Sequence, residues 1–597
     1  MSVETIPFCN PAWAFLALAA LLPFLGRFPA WRALTLAPPV LAIAIAAALT
    51  TVVAHGPLVM AQSHWLGMTL TLGRVDKLCL VFVWVFAVQS LLGAVYSLDA
   101  RTPGESAAAA LHVAGAFGCL FAGDYLSLFI FWEITTLGST LLIWLRRTPG
   151  AISAGYRYFL FHIFGGVLLL FGFILRAKAT GSFSFDHLDV SALAFYDWMI
   201  LGGFAVNAAV VPLHAWLIDA YPEASAMGAV YLCAFTTKTS VYVLARAFAG
   251  LDLLAPLGAV MTLYAGLYAI AETDARRCLA YQTIAQVGFM VAGVGIGSEL
   301  AIDGVCAHAV AHVVYKGLMF MVTGAVLTAT GTASLNRLGG LAARLPLATV
   351  CYMAAAASTA GLPLFSGFTT KSMTIAAAFE HSQLLGLALE LGALAAILGV
   401  GVRLPWLMFF GAKKAPADPA LVSANRNWAM VAAALLCFVL GVSPGMVNSL
   451  LPYQVDFQPY SAFSVLQALT LSGFSVLAYT LAKPLLAPVP GRLVDFDLLY
   501  RGVGRAFYSL ISIPLASLDG FWSEAYRAVG LRALMDNARF SAVFDRKGID
   551  GMVDGTAKAA AHLGRVTAEA QGGKLQIYLN ASAVLAAAIF AVVWLLT

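Results

Sequence analysis

LSLFIFWEITTLGSTLLIWL, residues 126–145, holds a single ionisable group, Glu133. A run of about twenty mostly apolar residues is long enough, as a helix, to cross a hydrocarbon core about 30 Å thick. Backbone polar groups in lipid must be satisfied within the segment, so such a run is predicted to be a transmembrane helix. Glu133 then sits about two turns inside it. Even the mildest insertion scales charge about 2.5–3.5 kcal/mol for a central Asp, Lys or Arg. A carboxyl kept at such a depth is a candidate for function. Its bland alternative is a structural carboxyl bonded to a neighbouring helix.

Similar runs recur along the chain, centred near residues 18, 44, 87, 115, 136, 167, 206, 236, 261, 289, 318, 358, 397, 437, 472 and 587. Of the 597 residues, 61% are hydrophobic and 11% charged, under half the ~25% charged content of a soluble domain. The class is therefore an all-α polytopic membrane protein with about 16 transmembrane helices. The formal charge of +5 comes with no basic stripe, so no nucleic-acid partner is expected. Cys9, Cys79, Cys119, Cys233, Cys278, Cys306, Cys351 and Cys437 stand singly, without metal-ligand spacing. There is no GxGxxG after a strand and no Walker loop. No cofactor is expected. The opening MSVETIPFCNPAW lacks a signal peptide's basic region and cleavage site, so the first run is expected to remain as a helix.

Basic residues favour the loops after odd-numbered spans: Arg27 and Arg32; Arg101; Arg146, Arg147 and Arg157; Arg276 and Arg277; Arg337 and Arg344; Lys413, Lys414 and Arg426. Those loops are predicted to be cytoplasmic, with the N-terminus outside and the chain in the cell's inner (plasma) membrane. Asp219 and Glu223, after the seventh span, do not fit this pattern.

Spans seven and twelve are interrupted, at Val211-Pro212-Leu213-His214 and at Gly361-Leu362-Pro363-Leu364 followed by Gly367. Proline inside a helix removes a hydrogen bond and clashes with the preceding turn. Breaks five spans apart suggest two five-helix repeats, the second inverted because five is odd; two unrelated kinks are the alternative. The expected divisions are residues 1–100 (three helices), 105–250 and 251–412 (the repeats), 425–485 (two helices), 486–576 (a cytoplasmic-side amphipathic extension) and 577–597 (a last span). The extension carries Arg492, Asp495, Asp497, Arg501 and Arg505, and its 545–574 stretch mixes Ala, Val and charges like an interfacial helix.

Six further candidate residues lie at membrane depth. Lys238 is the only charge between Ala224 and Ala245, about two turns from Arg246, too deep to snorkel readily. His308, His312 and Lys316 recur every four residues, which places them on one helix face over about 12 Å. Imidazole titrates nearest neutrality and suits a relay. A HxxxH metal site lacks a third ligand at suggestive spacing. Lys371 follows the second break and His214 lies at the first, where a capping role competes with a gating one.

These residues occur in strings that resemble the antiporter-like membrane subunits of Mrp-type Na⁺/H⁺ antiporters, respiratory complex I and membrane-bound hydrogenases, most of all the D-type Mrp subunit. The strings are FIFWEITTLGSTLLIW, VPLHAWLIDAYPEA, TTKTSVYVLAR, DARRCLAYQTIAQVGFM, HAVAHVVYKGLMF, GTASLNRLGGL and GLPLFSGFTTK, over roughly residues 75–410. The resemblance implies fourteen core helices in two inverted five-helix repeats with helices 7 and 12 broken, and a midplane chain of charges. Glu133, Lys238, Lys316 with His308 and His312, and Lys371 match that chain. Asn207 stands where the family usually has the lysine that pairs with the glutamate. The strings DGMVDGTAKAA and EAQGGKLQIYL are similar to the tail of the largest family member, with its lateral helix and sixteenth span.

The function expected is a proton-translocating subunit of a multisubunit antiporter or complex I-like redox pump, with Na⁺ left open. Its partners are other membrane subunits, H⁺ and the lipid bilayer. With Asn207 in the lysine's place, either Lys238 takes over as the partner of Glu133 or the first half-channel works differently; in the reading adopted, Glu133 pairs with Lys238 and biases its charge. Two rivals stand beside this reading: a non-conducting scaffold, supported by Asn207, and a redox subunit binding quinone or metal itself.

Overall fold

The computed structural model describes residues 9–596 apart from positions 29, 66, 101, 413, 416–418, 490, 492 and 571. Arg101, Lys413, Arg492 and the first eight residues of the N-terminal segment lie outside the described residues. Among the described residues, 12 helices are long and apolar enough to cross a membrane, and Ala12–Leu25 and Pro346–Ala360 are shorter apolar helices. The chain is a multi-pass helical membrane protein.

In chain order the first compact unit, Met1–Phe496, opens with α1 (Ala12–Leu25), α2 (Trp31–Leu34) and α3 (Ala37–Val53). An antiparallel hairpin follows, β1 (Leu58–Trp65) on β2 (Met68–Val75), then α4 (Lys77–Tyr96). The hairpin departs from the all-helical expectation; alternation of polar and apolar residues in MTLTLGRV suits a strand, and the run is too short to span. Next come α5 (Pro103–Phe121), α6 (Tyr125–Trp144), α7 (Pro149–Thr180), α8 (Phe195–Asn207), α9 (Ala215–Glu223) and α10 (Ala226–Ala247). Then follow α11 (Leu254–Ala271), α12 (Ala275–Ile296), α13 (Glu299–Thr330), α14 (Pro346–Ala360), α15 (Ser366–His381) and α16 (Gln383–Ala396), which runs on in π-helical turns to Phe410. The unit closes with α17 (Ala424–Val442), α18 (Gly445–Asn448) and α19 (Ala462–Ala482).

α13 is the centre of this unit. It packs on α4, α10, α12, α14, α15 and α17 and is buried from Ala301 to Val326 save for Val310. α7 and α13 are both 32 residues long and begin 150 residues apart. Each is capped at its start by a hydroxyl, Thr148 or Ser298, and ended by a left-handed glycine, Gly181 or Gly331. Beyond each end the chain bridges back to the start of the preceding helix, Ser184 to Asp124 and Ser334 to Asp274. Those aspartates cap α6 and α12 by accepting from Ser127 N and from Arg276 N and Arg277 N.

Both expected breaks are present, between α8 and α9 and between α14 and α15. Each holds a non-glycine residue with left-handed backbone, Ala209 (φ 54°) and Leu364 (φ 72°). Such residues cost about 1–3 kcal/mol and persist where the surroundings enforce them. The second break also demands Gly367: a Cβ there would lie 1.7 Å from the Ser358 carbonyl oxygen.

The second unit, Asp497–Thr597, contains α20 (Asp497–Ala525), α21 (Arg532–Val543) and α22 (Asp550–Ala570), joined by π-helical turns, and α23 (Leu575–Leu596). Along α20, Phe507, Leu510, Leu518, Phe521 and Trp522 are exposed. Their helical spacing lines them up as an apolar stripe of the kind an interfacial helix presents.

Three arginines qualify the loop-charge pattern. Arg276 is 1% exposed, not a solvated loop residue. It donates to the carbonyls of Pro222, Ala224 and Ser225, tying the α9–α10 turn to α12. Asp219 and Glu223, the acids that broke the pattern, are held by Arg157 (2.8 Å) and Arg146 (3.5 Å). Arg276→Met keeps the bulk and removes all three bonds to that turn. Charge-assisted hydrogen bonds are worth about 1.5–3 kcal/mol each, so thermal unfolding of the purified protein is expected to shift down by the equivalent of at least ~3 kcal/mol, with Arg276→Lys recovering part.

Candidate functional site

Lys238 lies on α10 with no exposed surface. Its Nζ donates to the Cys233 carbonyl at 2.8 Å and to Thr237 Oγ1 at 3.1 Å, both on its own helix. Glu133, half-buried on α6, rests against Gly166 of α7: a Cβ on that glycine would lie 2.2 Å from its Oε1. That oxygen has no hydrogen-bond partner among the described residues. No ion pair joins Glu133 to Lys238 among the described residues, so the expected pairing is not made. The lysine is turned along its own helix and the carboxyl toward α7.

Between the two lies a polar set that the sequence reading passed over. His112 on α5 contacts the Thr135 carbonyl through Nδ1 (3.2 Å) and Thr236 Oγ1, two residues before Lys238, through Nε2 (3.5 Å). His162 on α7 contacts the Tyr158 carbonyl through Nδ1 (2.9 Å) and stacks on the Tyr158 ring with centroids 3.9 Å apart. Tyr158 donates to Ser139 Oγ of α6 at 2.8 Å. His162 and Gly166 are one turn apart on a single face of α7, so Glu133 approaches the face that carries the imidazole.

In the second half, α13 brings together its three expected residues. His308, His312 and Lys316 are fully buried. The two imidazole centroids lie 6.0 Å apart, and Tyr315, 5.3 Å from His312, donates to Gln286 of α12. Neither nitrogen of His312, nor Lys316 Nζ, has a hydrogen-bond partner among the described residues. Lys238 on the adjacent α10 is close enough to act electrostatically on both His312 and Lys316.

Lys371, 4% exposed on α15, donates to the Thr359 carbonyl at the end of α14. That carbonyl is freed because the helix stops there, and the C-terminal end of a helix dipole favours a cation. The Lys371 ammonium also lies 5.7 Å over the Phe289 ring. Its neighbour Thr370 contacts His308 Nδ1 at 3.5 Å. Lys371 thus joins the His308–His312–Lys316 face one residue away.

A shared frame relates the halves. Tyr158, His162 and Gly166 on α7 sit 150 residues before His308, His312 and Lys316 on α13. His112 meets the Thr135 carbonyl, and Thr262 meets the Ala285 carbonyl at 3.0 Å, again 150 residues on. Glycine in place of lysine at position 166 is what leaves room for the Glu133 carboxyl.

The remaining candidates separate from this line. His214 is buried at the first break, with Nε2 3.3 Å from Asp495 of the strap that follows α19. Tyr264 and Tyr281 donate to the same carboxylate. Burial pushes the Asp495 carboxyl up, but His214 and the two tyrosines outweigh it and hold the group below the usual carboxylate range. Asn207 ends α8 with its Oδ1 unpartnered among the described residues. Among the described residues no three His, Cys, Asp or Glu side chains converge as a metal site.

Residues 122–398 match the model of a family described as NADH:quinone oxidoreductase/Mrp antiporter, transmembrane. The F(420)H(2) dehydrogenase subunit L of Methanosarcina mazei is 29% identical over 64% of this chain and 65% of its own. The NADH-quinone oxidoreductase subunit N of Desulforudis audaxviator is 32% identical over 60% of this chain and 77% of its own. The solved Mrp complex of Dietzia sp. contains a chain that superposes with a TM-score of 0.71 at 25% identity, covering 84% of this chain and 60% of that one. The chain therefore spans under two thirds of the dehydrogenase subunit and of the solved Mrp chain.

The seat of Glu133 is testable without any transport assay. Gly166→Ala drives a methyl into the carboxyl and is expected to destabilise the protein by about 1–3 kcal/mol, the usual range for overpacking. In a Glu133→Ala background the same change should be nearly neutral. A double-mutant cycle on thermal unfolding measures the difference; additive effects would mean that the carboxyl lies elsewhere.

Proposed function

The chain belongs to the NADH:quinone oxidoreductase/Mrp antiporter family of membrane subunits, and from that premise we propose that it is a proton-translocating subunit of a multisubunit antiporter or complex I-like pump. One observation carries the reading: buried ionisable groups gather on α13 and on the helices packed against it, with Lys316, His312 and His308 on α13, Lys238 on α10 and Lys371 on α15. Lys316 and both nitrogens of His312 have no hydrogen-bond partner among the described residues, and polar groups buried so at membrane depth are expensive, by about 1–3 kcal/mol each even when neutral. A merely structural core has no reason to keep them together.

In this proposal a proton enters beside one broken helix and reaches Lys238 by way of His112, His162 and Thr236. It moves through Lys316, His312 and His308 to Lys371, and leaves by the other half-channel. Repulsion supplies the drive. At an effective dielectric of about 20, two ammonium groups some 8 Å apart repel by ~2 kcal/mol, so a proton arriving at one lysine favours release from the next. Glu133, seated on α7 and not on Lys238, acts from a distance through the His162 face. The 150-residue correspondence of caps, bridges and buried polar groups supports two inverted five-helix repeats as the frame, residues 105–250 and 251–412. The flanking parts are proposed as residues 1–100, the pair of helices in 425–485, a cytoplasmic-side extension over 486–576 and a last span over 577–597. The basic loops support an inner-membrane location with the N-terminus outside, and the relatives' standing as subunits supports other membrane subunits as partners. Na⁺ is an alternative cargo for the same path.

A second reading, a non-conducting scaffold, is favoured by Asn207 and by the missing Glu133–Lys238 pair. Proton flux through the assembled complex in proteoliposomes separates the two. Lys238→Ala, Lys316→Ala and Lys371→Ala are each expected to slow flux at least about tenfold, equivalent to 1.4 kcal/mol on the barrier. Glu133→Gln should slow it less, because no direct ion pair is lost. Wild-type flux in all three lysine variants would make the chain a scaffold.

A further inference from the structure

A cavity of about 570 Å³ lies between α15, α16 and α19. At its deep end it touches Gly361 and Gly367 of the second break, and Lys371. At its shallow end it is lined by Gln383, the first residue of α16, and by Phe463 and Ser464 at the start of α19. Phe463 is 74% exposed. This shallow end lies on the face away from the basic loops. α13 begins there, where Asp303 accepts from Tyr453 N and Val455 N, and it ends toward Arg337 and Arg344.

One acid stands in the wall of this cavity. Glu390 of α16 accepts a hydrogen bond from the side-chain amide of Gln467 on α19. Glu390 is seven residues from the start of α16 and Lys371 ten from the end of α15, so they lie about 10 and 15 Å from that membrane face at 1.5 Å per residue. The carboxyl is therefore placed between the buried ammonium and the surface. A carboxyl facing lipid on a spanning helix would be costly; one facing a passage from the surface to a lysine has a partner for its proton on either side.

We propose that this cavity is the outward half-channel and that Glu390 is its proton-exchanging group, an inference that rests on the conduction reading above. The Lys371 ammonium gives its proton, directly or through one water, to the Glu390 carboxylate. This leaves a neutral amine and a carboxylic acid. The acid releases the proton to water at the outer surface and returns to the carboxylate held by Gln467. The neutral Lys371 amine is then ready to accept the next proton through His308. Because α19 lies beyond both proposed repeats, the terminal step uses a helix added to the repeated frame.

The test uses the assembled complex in right-side-out vesicles and in proteoliposomes. Ser372, deep in the cavity beside Lys371, is replaced by cysteine, and a membrane-impermeant cationic methanethiosulfonate is added from the outside. Modification of Ser372→Cys from outside, and a fall in flux of at least about tenfold in Glu390→Gln with the complex still assembled, are the expected results; Glu390→Asp should retain part of the flux. If Lys371→Ala stops flux while Glu390→Gln does not, Glu390 has no role and the conduction reading stands. If Ser372→Cys reacts only with a lipid-soluble maleimide, the cavity opens to lipid and the half-channel is overturned. If neither Lys371→Ala nor Glu390→Gln alters flux, the conduction reading itself fails.

Discussion

A helix that stops inside a bilayer leaves carbonyl oxygens that lipid cannot satisfy. At the end of α14 that debt is met by Lys371, whose ammonium binds the Thr359 carbonyl. The constraint works in both directions. The lysine needs an acceptor at a depth where water is scarce, and the broken helix supplies one with the favourable end of its dipole. The strained Leu364 and the close approach of Gly367 to Ser358 hold the break open, and α13 lies against the result, so that His308 is one threonine away.

The same constraint explains why charges in the core are handled so differently. Arg276 is as buried as the lysines, yet it is saturated by three carbonyls of one turn and ties elements together. Lys316 and His312 lack such partners among the described residues. A guanidinium keeps its proton in a protein, whereas a desolvated amine or an imidazole can give its proton up. Burial alone therefore does not separate the two classes; the chemistry of the cation does, together with what surrounds it.

Helix lengths, caps and bridges that recur 150 residues apart give the frame in which the differences have meaning. α7 and α13 share length, caps and bridging strands, yet one face carries Tyr158, His162 and Gly166 and the other His308, His312 and Lys316. In the first half the missing lysine becomes a hollow for a carboxyl. In the second the lysine is present and no acid faces it among the described ion pairs.

Much of this was legible in the amino-acid order. Apolar length specified the helices, because a continuous apolar run of that length satisfies its own backbone in lipid only as a helix. A lone Glu133, Lys238 or Lys371 in such a run marked itself, because the cost of charge at that depth is paid only for a reason. The prolines marked both breaks. What one dimension could not supply was adjacency. His112 and His162 sit in ordinary-looking runs and gain meaning only when α5, α7 and α10 are packed together. Arg276 reads as a loop charge until the α9–α10 turn folds over it. Glu133 and Lys238 look like a pair on charge alone, but rotamers and helix faces send one to α7 and the other back along α10. Glu390 and Gln467 are 77 residues apart, and only the docking of α19 against α16 puts them in one cavity. Sequence determines which groups are buried in lipid-spanning helices, since that depends on local composition; tertiary packing decides which of them meet, since that depends on the direction each side chain leaves its helix and on what stands opposite.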